Sequence, residues 1–289
     1  MKQDPICPIC GDATAPDMAA WRFLALDQAP KNYVVLHCNG CGLRWLDPYP
    51  LPEDYQTIYG IGYYGNGRQI GGAYQEGTRE RAPCDAAIAR RLYIMGVTDG
   101  LLDVGCGTGD FLLEAARTGV DGEGVEPSDY AALTARSRGL RVHHGTLGDL
   151  PNPPALYAAA HCCHVLEHVP DAHAFLEQLR NLLRPAAPVY IEVPQQFDSI
   201  LDRIARRLGR KNCYSEYSIH HHYFFSPNAL TALLEANGFE ITSMTSFLRC
   251  RRQGRRSGPR KWALQTLLQV ANILGRRGDV IAVWARRTR

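Results

Sequence analysis

The sequence predicts an α/β fold in two parts, a parallel sheet wrapped by helices and a small cysteine-rich ribbon ahead of it. Three observations predict it. CPIC at 7–10 and CNGC at 38–41 are paired C-x-x-C turns, each followed by a glycine, Gly11 and Gly42. LLDVGCGTGDFLLEAARTG at 101–119 runs from an apolar strand through a glycine-rich turn into an amphipathic helix. From there to the carboxyl terminus, strand-like runs alternate with helical periods, as in strand–helix–strand units. The length of 289 residues is enough for one large domain and something smaller.

The ribbon comes first. A C-x-x-C turn points both sulfurs inward, and the glycine after it permits the tight backbone. Cys7, Cys10, Cys38 and Cys41 thereby supply four thiolates at the corners of a tetrahedron, the closed geometry of structural zinc, with no position left for a substrate. YVVLHC at 33–38 reads as a strand entering the second turn, so a β-hairpin joins the two. A redox dithiol and free thiols are the competing readings of the spacing. The ribbon is expected over 1–50. From 51 to 95 the chain is a connector rich in Tyr, Gly and Pro, with Tyr59, Tyr63 and Tyr64 either lid aromatics over a substrate or interdomain packing. ERAPCDAAIARRLYIMG at 80–96 reads as a helix leading into the main domain, expected over 96–289.

Composition excludes several classes. Hydrophobic content of 45% and charged content of 21% are those of an ordinary globular protein. No apolar run approaches the roughly 20 residues of a membrane span, and the amino terminus lacks a signal peptide's apolar core, so a cytoplasmic protein is expected. The net charge of +3 is unevenly spread: the segment from Arg249 onward holds 12 Lys/Arg and one acid, leaving 20 basic and 28 acidic residues before it. That basic tail is either a solvated face or a surface for an anionic partner or substrate.

The glycine-rich stretch carries the chemistry. Gly105, Gly107 and Gly109 let the backbone approach a ligand closely, and the helix starting at about Asp110 offers free N–H groups. DGEGVEPS at 121–128 follows as a strand ending in Glu126, an acid placed to take both hydroxyls of a ribose. The unit therefore points to an adenosine-type ligand. Its pattern is G-x-G-x-G with an Asp inside the strand, not the G-x-G-x-x-G of dinucleotide sites. D-V-G-C-G-T-G resembles motif I of the class I S-adenosylmethionine-dependent methyltransferases. The resemblance continues in order through VEP, RVHHGTLGDLP (141–151), HVLEHVPD, RPAAPVYIEVP (184–194), HHHYFFSPNALTALLEANGFEI (220–241) and VIAVWARR (280–287). It covers about 85–289 and implies a Rossmann-like seven-stranded methyltransferase sheet. It also implies site residues: Asp103, Gly105 and Gly107 toward the methionine moiety, with Cys106 and Gly109 in the same turn. Glu126 and Pro127 would hold the ribose, and Thr146 with Leu147 the adenine. The paired C-x-x-C turns ahead of such a domain are similar to bacterial methyltransferases with an amino-terminal zinc ribbon, sugar C-methyltransferases among them.

HCCHVLEHVPD at 161–171 ends the expected fourth strand of the sheet. Cys162 and Cys163 point to opposite faces of that strand, so they cannot share one ion and are read as packing. Asp171 opens a helix with apolar residues at 172, 175, 176, 179, 182 and 183. His164, Glu167 and His168 are left at the strand's carboxyl end, where open α/β sheets bind ligands. His164 and His168 are candidate bases for an oxygen nucleophile, His164 also a neighbour of the cofactor, and Glu167 a substrate contact or a brace. The E-x-x-E-H of some small-RNA and quinone-pathway O-methyltransferases resembles H-x-x-E-H here, which raises a second divalent metal on these residues and the triple His at 220–222. His221, ahead of the Y-F-F-S-P helix start, is a further candidate base; Ser226 caps that helix and Pro227 takes its first position.

QQFDSILDRIARRLGRKNCYSEYS at 195–218 reads as an amphipathic lid helix whose Arg203, Arg206, Arg207, Arg210 and Lys211 face either solvent or a phosphate or acidic sugar. The expected activity is methyl transfer from S-adenosylmethionine to a small molecule: a sugar, nucleotide-linked sugar or other biosynthetic intermediate, on oxygen or carbon. An RNA methyltransferase and a non-catalytic partner-binding protein of the same fold are the alternatives.

Overall fold

In the computed structural model of the chain, residues 5–17, 34–47, 71–150, 156–197, 207–208, 221–247 and 278–288 are described, with side chains of the first helix from Arg81 onward. Tyr59, Tyr63, Tyr64, the 250–261 basic stretch and the expected 262–274 helix lie outside the described residues, as do all the lid-segment cations except Arg207.

Parallel strands buried on both faces are written as mainly apolar runs, and in the central strands that run is interrupted by ionisable residues such as Asp103, His161 and Glu192. Strand β4 (Leu101–Val104) is buried throughout and passes through the glycine turn into α2 (Asp110–Thr118). Strand β5 (Gly122–Glu126) follows, then α3 (Asp129–Ser137) and β6 (Val142–His144). The second half runs β7 (Ala159–Cys163), α4 (Ala172–Leu182), β8 (Pro188–Pro194), α5 (Pro227–Ala236), β10 (Phe239–Phe247) and β11 (Val280–Arg287). The seven strands lie in the order β10-β11-β8-β7-β4-β5-β6, with β10 and β11 antiparallel and the other five parallel. The parallel order runs outward in opposite directions from β4 and β7, so a crevice opens between their carboxyl ends.

Local chemistry sets the helix starts. Asp171 accepts from the amides of His173 and Ala174 at 2.9 and 3.0 Å, Ser226 accepts from Ala229 at 3.0 Å, and Pro227 follows it. Helix α1 (Gly71–Ile94) begins earlier than the 80–96 expectation and carries Pro83 inside. Its opening residues, GGAYQEGTRE, have no apolar period to betray them, whereas buried Ile88, Ala89 and Leu92 farther on do.

The second sheet is small and crosses the expected division of the chain. Strands β1 (Thr14–Pro16), β2 (Val34–Cys38) and β3 (Arg44–Asp47) form an antiparallel ribbon, and β9 (Tyr223–Phe224), from the segment before α5, pairs with β3 as its fourth strand. One buried cluster accordingly contains Leu36, Cys38, Leu43 and Trp45 of the ribbon together with Leu166, Tyr223, Phe225 and Leu230 of the main domain.

Gly124, in the middle of β5, is needed for close approach: a Cβ there would lie 2.4 Å from the Sγ of Cys106 and 3.1 Å from Leu112 Cδ1. Gly124→Ala should therefore destabilise the chain by about 1–3 kcal/mol in urea unfolding, and adding Cys106→Ala should return part of the loss. Equal stability of Gly124→Ala and the natural chain would contradict this packing.

Candidate active site and metal ribbon

The crevice between β4 and β7 is built by two loops that touch. After β4, Gly105 takes φ 66°, and a Cβ on it would lie 2.4 Å from Cγ2 of Val165 in the loop after β7. Only glycine lets the turn both adopt that conformation and sit so close. Gly107 and Gly109 continue the turn with positive φ. Glu126, buried at the end of β5, accepts from Gly107 N and Ser128 N, each at 2.9 Å, so the acid braces the glycine turn and the turn at Pro127 together. The Pro127 carbonyl accepts from His144 Nε2 at 3.1 Å. Next to them, Gly145 N donates to the Glu126 carbonyl at 3.0 Å, bringing the 145–149 loop to the same strand ends. There the amide and hydroxyl of Thr146 both donate to Asp149 Oδ2 at 2.8 Å, which holds that carboxyl below the usual range, while Leu147 is buried. Cys106 packs under β5, and burial pushes its thiol well up, leaving no thiolate for nucleophilic chemistry.

Asp103 lies inside β4, opposite His161 in β7. Its Oδ1 is 2.7 Å from His161 Nδ1, and the imidazole stacks on Phe111 with ring centroids 3.6 Å apart. Both groups are buried, yet Asp103 Oδ2 and His161 Nε2 have no hydrogen-bond partner.

The tip of β7 gathers the remaining polar groups. His164 has φ 55°, a left-handed conformation that β-carbon-bearing residues seldom adopt, and such strain clusters at functional sites. Its Nδ1 is 3.1 Å from Glu167 Oε1 and its Nε2 3.3 Å from Glu192 Oε1. Glu192, near the end of β8, is also met by Arg81 of α1 at 2.5 Å and by the hydroxyl of Tyr190 at 2.6 Å, and Arg81 reaches Asp85 at 2.9 Å. Glu167 is 0% exposed and its Oε2 has no partner. His168 Nε2 lies 3.7 Å from Glu167 Oε1, the His168 and His221 rings meet edge to face at 4.7 Å, and His221 Nδ1 is 2.9 Å from Gln196 Oε1.

A second metal was expected on His164, Glu167 and His168 with the triple His at 220–222. The structure instead groups Glu167, His168 and His221, with ligand atoms within 4.8 Å of one another, and puts His164 in a separate group with Cys163 and Glu192. The reason is the direction of the chain: from its left-handed position, His164 turns toward β8, while the segment before β9 delivers His221. Sequence reading passed over Glu192, Arg81, Gln196 and His161. A signal existed for two of them: a Glu in PVYIEVP and a His in AAHCC are ionisable residues inside otherwise apolar buried strands.

The ribbon's four cysteines converge. The Sγ atoms of Cys7, Cys10, Cys38 and Cys41 lie within 4.8 Å of one another, with Cys7–Cys41 at 3.7 Å and Cys10–Cys38 at 3.4 Å. A zinc–sulfur distance of about 2.3 Å makes the edge of a ZnS4 tetrahedron about 3.8 Å, so the arrangement fits. Ile9 N and Cys41 N donate to Cys7 and Cys38 sulfurs at 3.5 and 3.4 Å. The hydrogen bond from the Cys41 thiol brings Cys7 down to about 5, aided by the Cys10 and Ile9 amides, and the same bond pushes Cys41 up. A bound cation would displace the thiol protons.

Residues 74–244 match a family model described as a methyltransferase domain. A probable S-adenosylmethionine-dependent methyltransferase of Mycolicibacterium smegmatis is 29% identical over 144 residues, 49% of this chain and 52% of that protein. The ubiquinone biosynthesis O-methyltransferase of Vibrio atlanticus is 30% identical over 168 residues, 53% of this chain and 70% of that protein. The chain thus spans about half the length of the first of these relatives. The crystal structure of Burkholderia thailandensis 1,6-didemethyltoxoflavin-N1-methyltransferase, with 1,6-didemethyltoxoflavin and S-adenosylhomocysteine bound, superposes with a TM-score of 0.55 at 18% identity, over 90% of this chain and 98% of that one. That likeness is one of fold.

Metal analysis of the purified chain should find a thiolate-held ion that Cys38→Ser loses and that Glu167→Gln, in the other cluster, retains. Full retention in Cys38→Ser would contradict the four-sulfur site.

Proposed function

The chain belongs to the family of methyltransferase domains, a class I S-adenosylmethionine-dependent methyltransferase by fold and lineage, and we propose that it methylates a small-molecule acceptor held at the tip of β7. The observation that carries this reading is a pair of buried, unpartnered carboxylate oxygens, Asp103 Oδ2 and Glu167 Oε2, on the two sides of the crevice. A buried carboxylate oxygen left without a hydrogen bond costs about 1–3 kcal/mol, and a cationic ligand relieves it. S-Adenosylmethionine fits, being cationic at both its sulfonium and its amino group, and when bound it supplies an electrophilic methyl for in-line displacement.

The chain's own residues supply binding, orientation and proton handling. Glu126 would take the ribose hydroxyls, giving up one or both of its backbone partners to do so. Asp103, aligned by His161, would take the amino group. The 145–149 loop, with Thr146 and buried Leu147, would cover the adenine. At the acceptor end, Gln196 Oε1 can only accept, so His221 keeps its proton on Nδ1 and carries its lone pair on Nε2. That nitrogen suits removal of a hydroxyl proton, with His168 beside it. His164, with a carboxylate at each nitrogen, serves to bridge Glu167 and Glu192, and the role of base passes to His221 and His168. A divalent cation on Glu167, His168 and His221, polarising the same hydroxyl, is the second reading of this cluster; a buried Glu167 oxygen without a partner favours it.

This chemistry suits an oxygen acceptor on a sugar, a nucleotide-linked sugar or another biosynthetic intermediate, and the similarity to the Vibrio atlanticus O-methyltransferase supports oxygen over carbon. Zinc suits the four-thiolate ribbon. Calorimetric titration should give micromolar affinity for S-adenosylmethionine, weakened at least about tenfold by Glu126→Gln. His221→Asn should leave that affinity within about twofold while lowering turnover by about 10²–10⁴, measured as S-adenosylhomocysteine released with a panel of hydroxylated acceptors. No binding of S-adenosylmethionine by the natural chain would overturn the proposal.

A further inference from the structure

The ribbon is joined to the acceptor end of the site by every kind of contact. Backbone pairing comes first: β3 carries β9 in register, with Arg44 opposite Phe224 and Trp45 opposite Tyr223. Just before β9, Leu46 N donates to the carbonyl of His222 at 3.0 Å. His222 N and Tyr223 N in turn donate to the carbonyl of Glu167 at 2.8 and 3.2 Å, so three consecutive chain segments are stitched edge to edge. The second link leaves the metal turn itself: the hydroxyl of Ser226 donates to the Cys41 carbonyl at 2.6 Å while its oxygen caps α5. A third is a side-chain stack, the Arg44 guanidinium lying 5.3 Å from the Phe197 ring centroid, one residue beyond the Gln196 that orients His221. The first link ends on the loop of Glu167 and His168, the second on Ser226 five residues after His221, and the third on Phe197 beside His221's orienting glutamine.

We propose that the four-cysteine ribbon is a positioning part of the transfer site: a metal held by Cys7, Cys10, Cys38 and Cys41 fixes β3, and β3 fixes His221 and the Glu167–His168 loop. The proposal rests on the reading of that cluster as the acceptor end of a methyltransferase. The route is short. Cys41 N donates to the Cys38 sulfur, Cys38 N donates to the Leu43 carbonyl at 2.8 Å, and Arg44, next in the chain, begins β3. The ribbon is too small to form a core of its own, and its Leu36, Leu43 and Trp45 are buried in the cluster it shares with Leu166 and Tyr223. Losing the metal releases the cysteine turns, and the edge that β9 pairs with goes with them. The cofactor end is held differently, by Glu126 on the glycine turn and by Gly105 N bonded to the Val125 carbonyl at 2.8 Å. Ser226 and Arg44 are accordingly positioning residues, which act through His221.

Hydrogen exchange followed by mass spectrometry tests this on the full chain, loaded with zinc and stripped of it by chelation under reducing conditions. Stripping should speed exchange about tenfold or more at 34–47 and equally at the amides of His222, Tyr223 and Phe224, while 101–126 keeps its protection. Exchange that rises in the ribbon and stops at Asp47 would overturn the proposal. If the stripped chain aggregates, Cys10→Ser replaces it, with the same two outcomes. In the zinc-loaded chain, Ser226→Ala should speed exchange at 221–224, and Ser226→Thr, which keeps the hydroxyl, should restore it; equal protection in all three would again overturn it. Titration of S-adenosylmethionine into the same loaded and stripped samples separates the two readings. Binding absent from both removes the proposed function alone, because the exchange pattern is read without the cofactor.

Discussion

The reversal of strand order between β4 and β7 is the constraint on which the rest of the molecule depends. Helical connections leave the two strands in opposite directions, so a space opens beyond their carboxyl ends, bordered by the two loops that follow them. Strand ends deliver most of the functional groups to that space, Asp103 and the glycine turn from β4, Glu126 from β5, His164 and Glu167 from β7 and Glu192 from β8, while Arg81 comes from α1 and His221 from the segment before β9. The loops must touch for the crevice to close at its base, and Gly105 against Val165 is the contact that allows it.

Concentrating carboxylates at one end of a sheet is unfavourable by itself. The chain offsets this by giving most of them built-in partners: backbone amides for Glu126, His161 for Asp103, and Arg81 with Tyr190 for Glu192. Asp103 and Glu167 are each left one oxygen short. Retaining buried polar atoms in that state is costly, and the proposed cationic cofactor would offset that cost. The amino-terminal ribbon meets the same end of the sheet from outside, and its sheet is completed by β9. A division of the chain into an appended ribbon and an independent core would cut through a shared apolar cluster.

Local pattern made much of this legible. The strand–turn–helix at 101–118, the acid at 126, the caps at Asp171 and Ser226 and the last strand at 280–287 are written in contiguous residues, and each lies where its spacing implies. The cysteine pairs converge because two short turns suffice to bring them together. What escaped was long-range. The pairing of β9 with β3 joins residues nearly the whole core apart, and a two-residue strand, Tyr223–Phe224, carries no period. Position at the strand tip makes His164 a candidate base in the sequence; its left-handed backbone, which turns the ring between two carboxylates, has no mark in HCCHVLEH. The same holds for Arg81, whose partner Glu192 lies 111 residues away.

In the proposed function the cofactor lies across the β4–β7 crevice with its reactive end toward Glu167, His168 and His221. A crystal structure of the zinc-loaded chain with S-adenosylhomocysteine would locate it. The ribose hydroxyls are expected on Glu126, the amino group on Asp103, and the sulfur facing the His168–His221 pair. A nucleoside bound elsewhere, or lying in the crevice with its sulfur turned away from that pair, would contradict it.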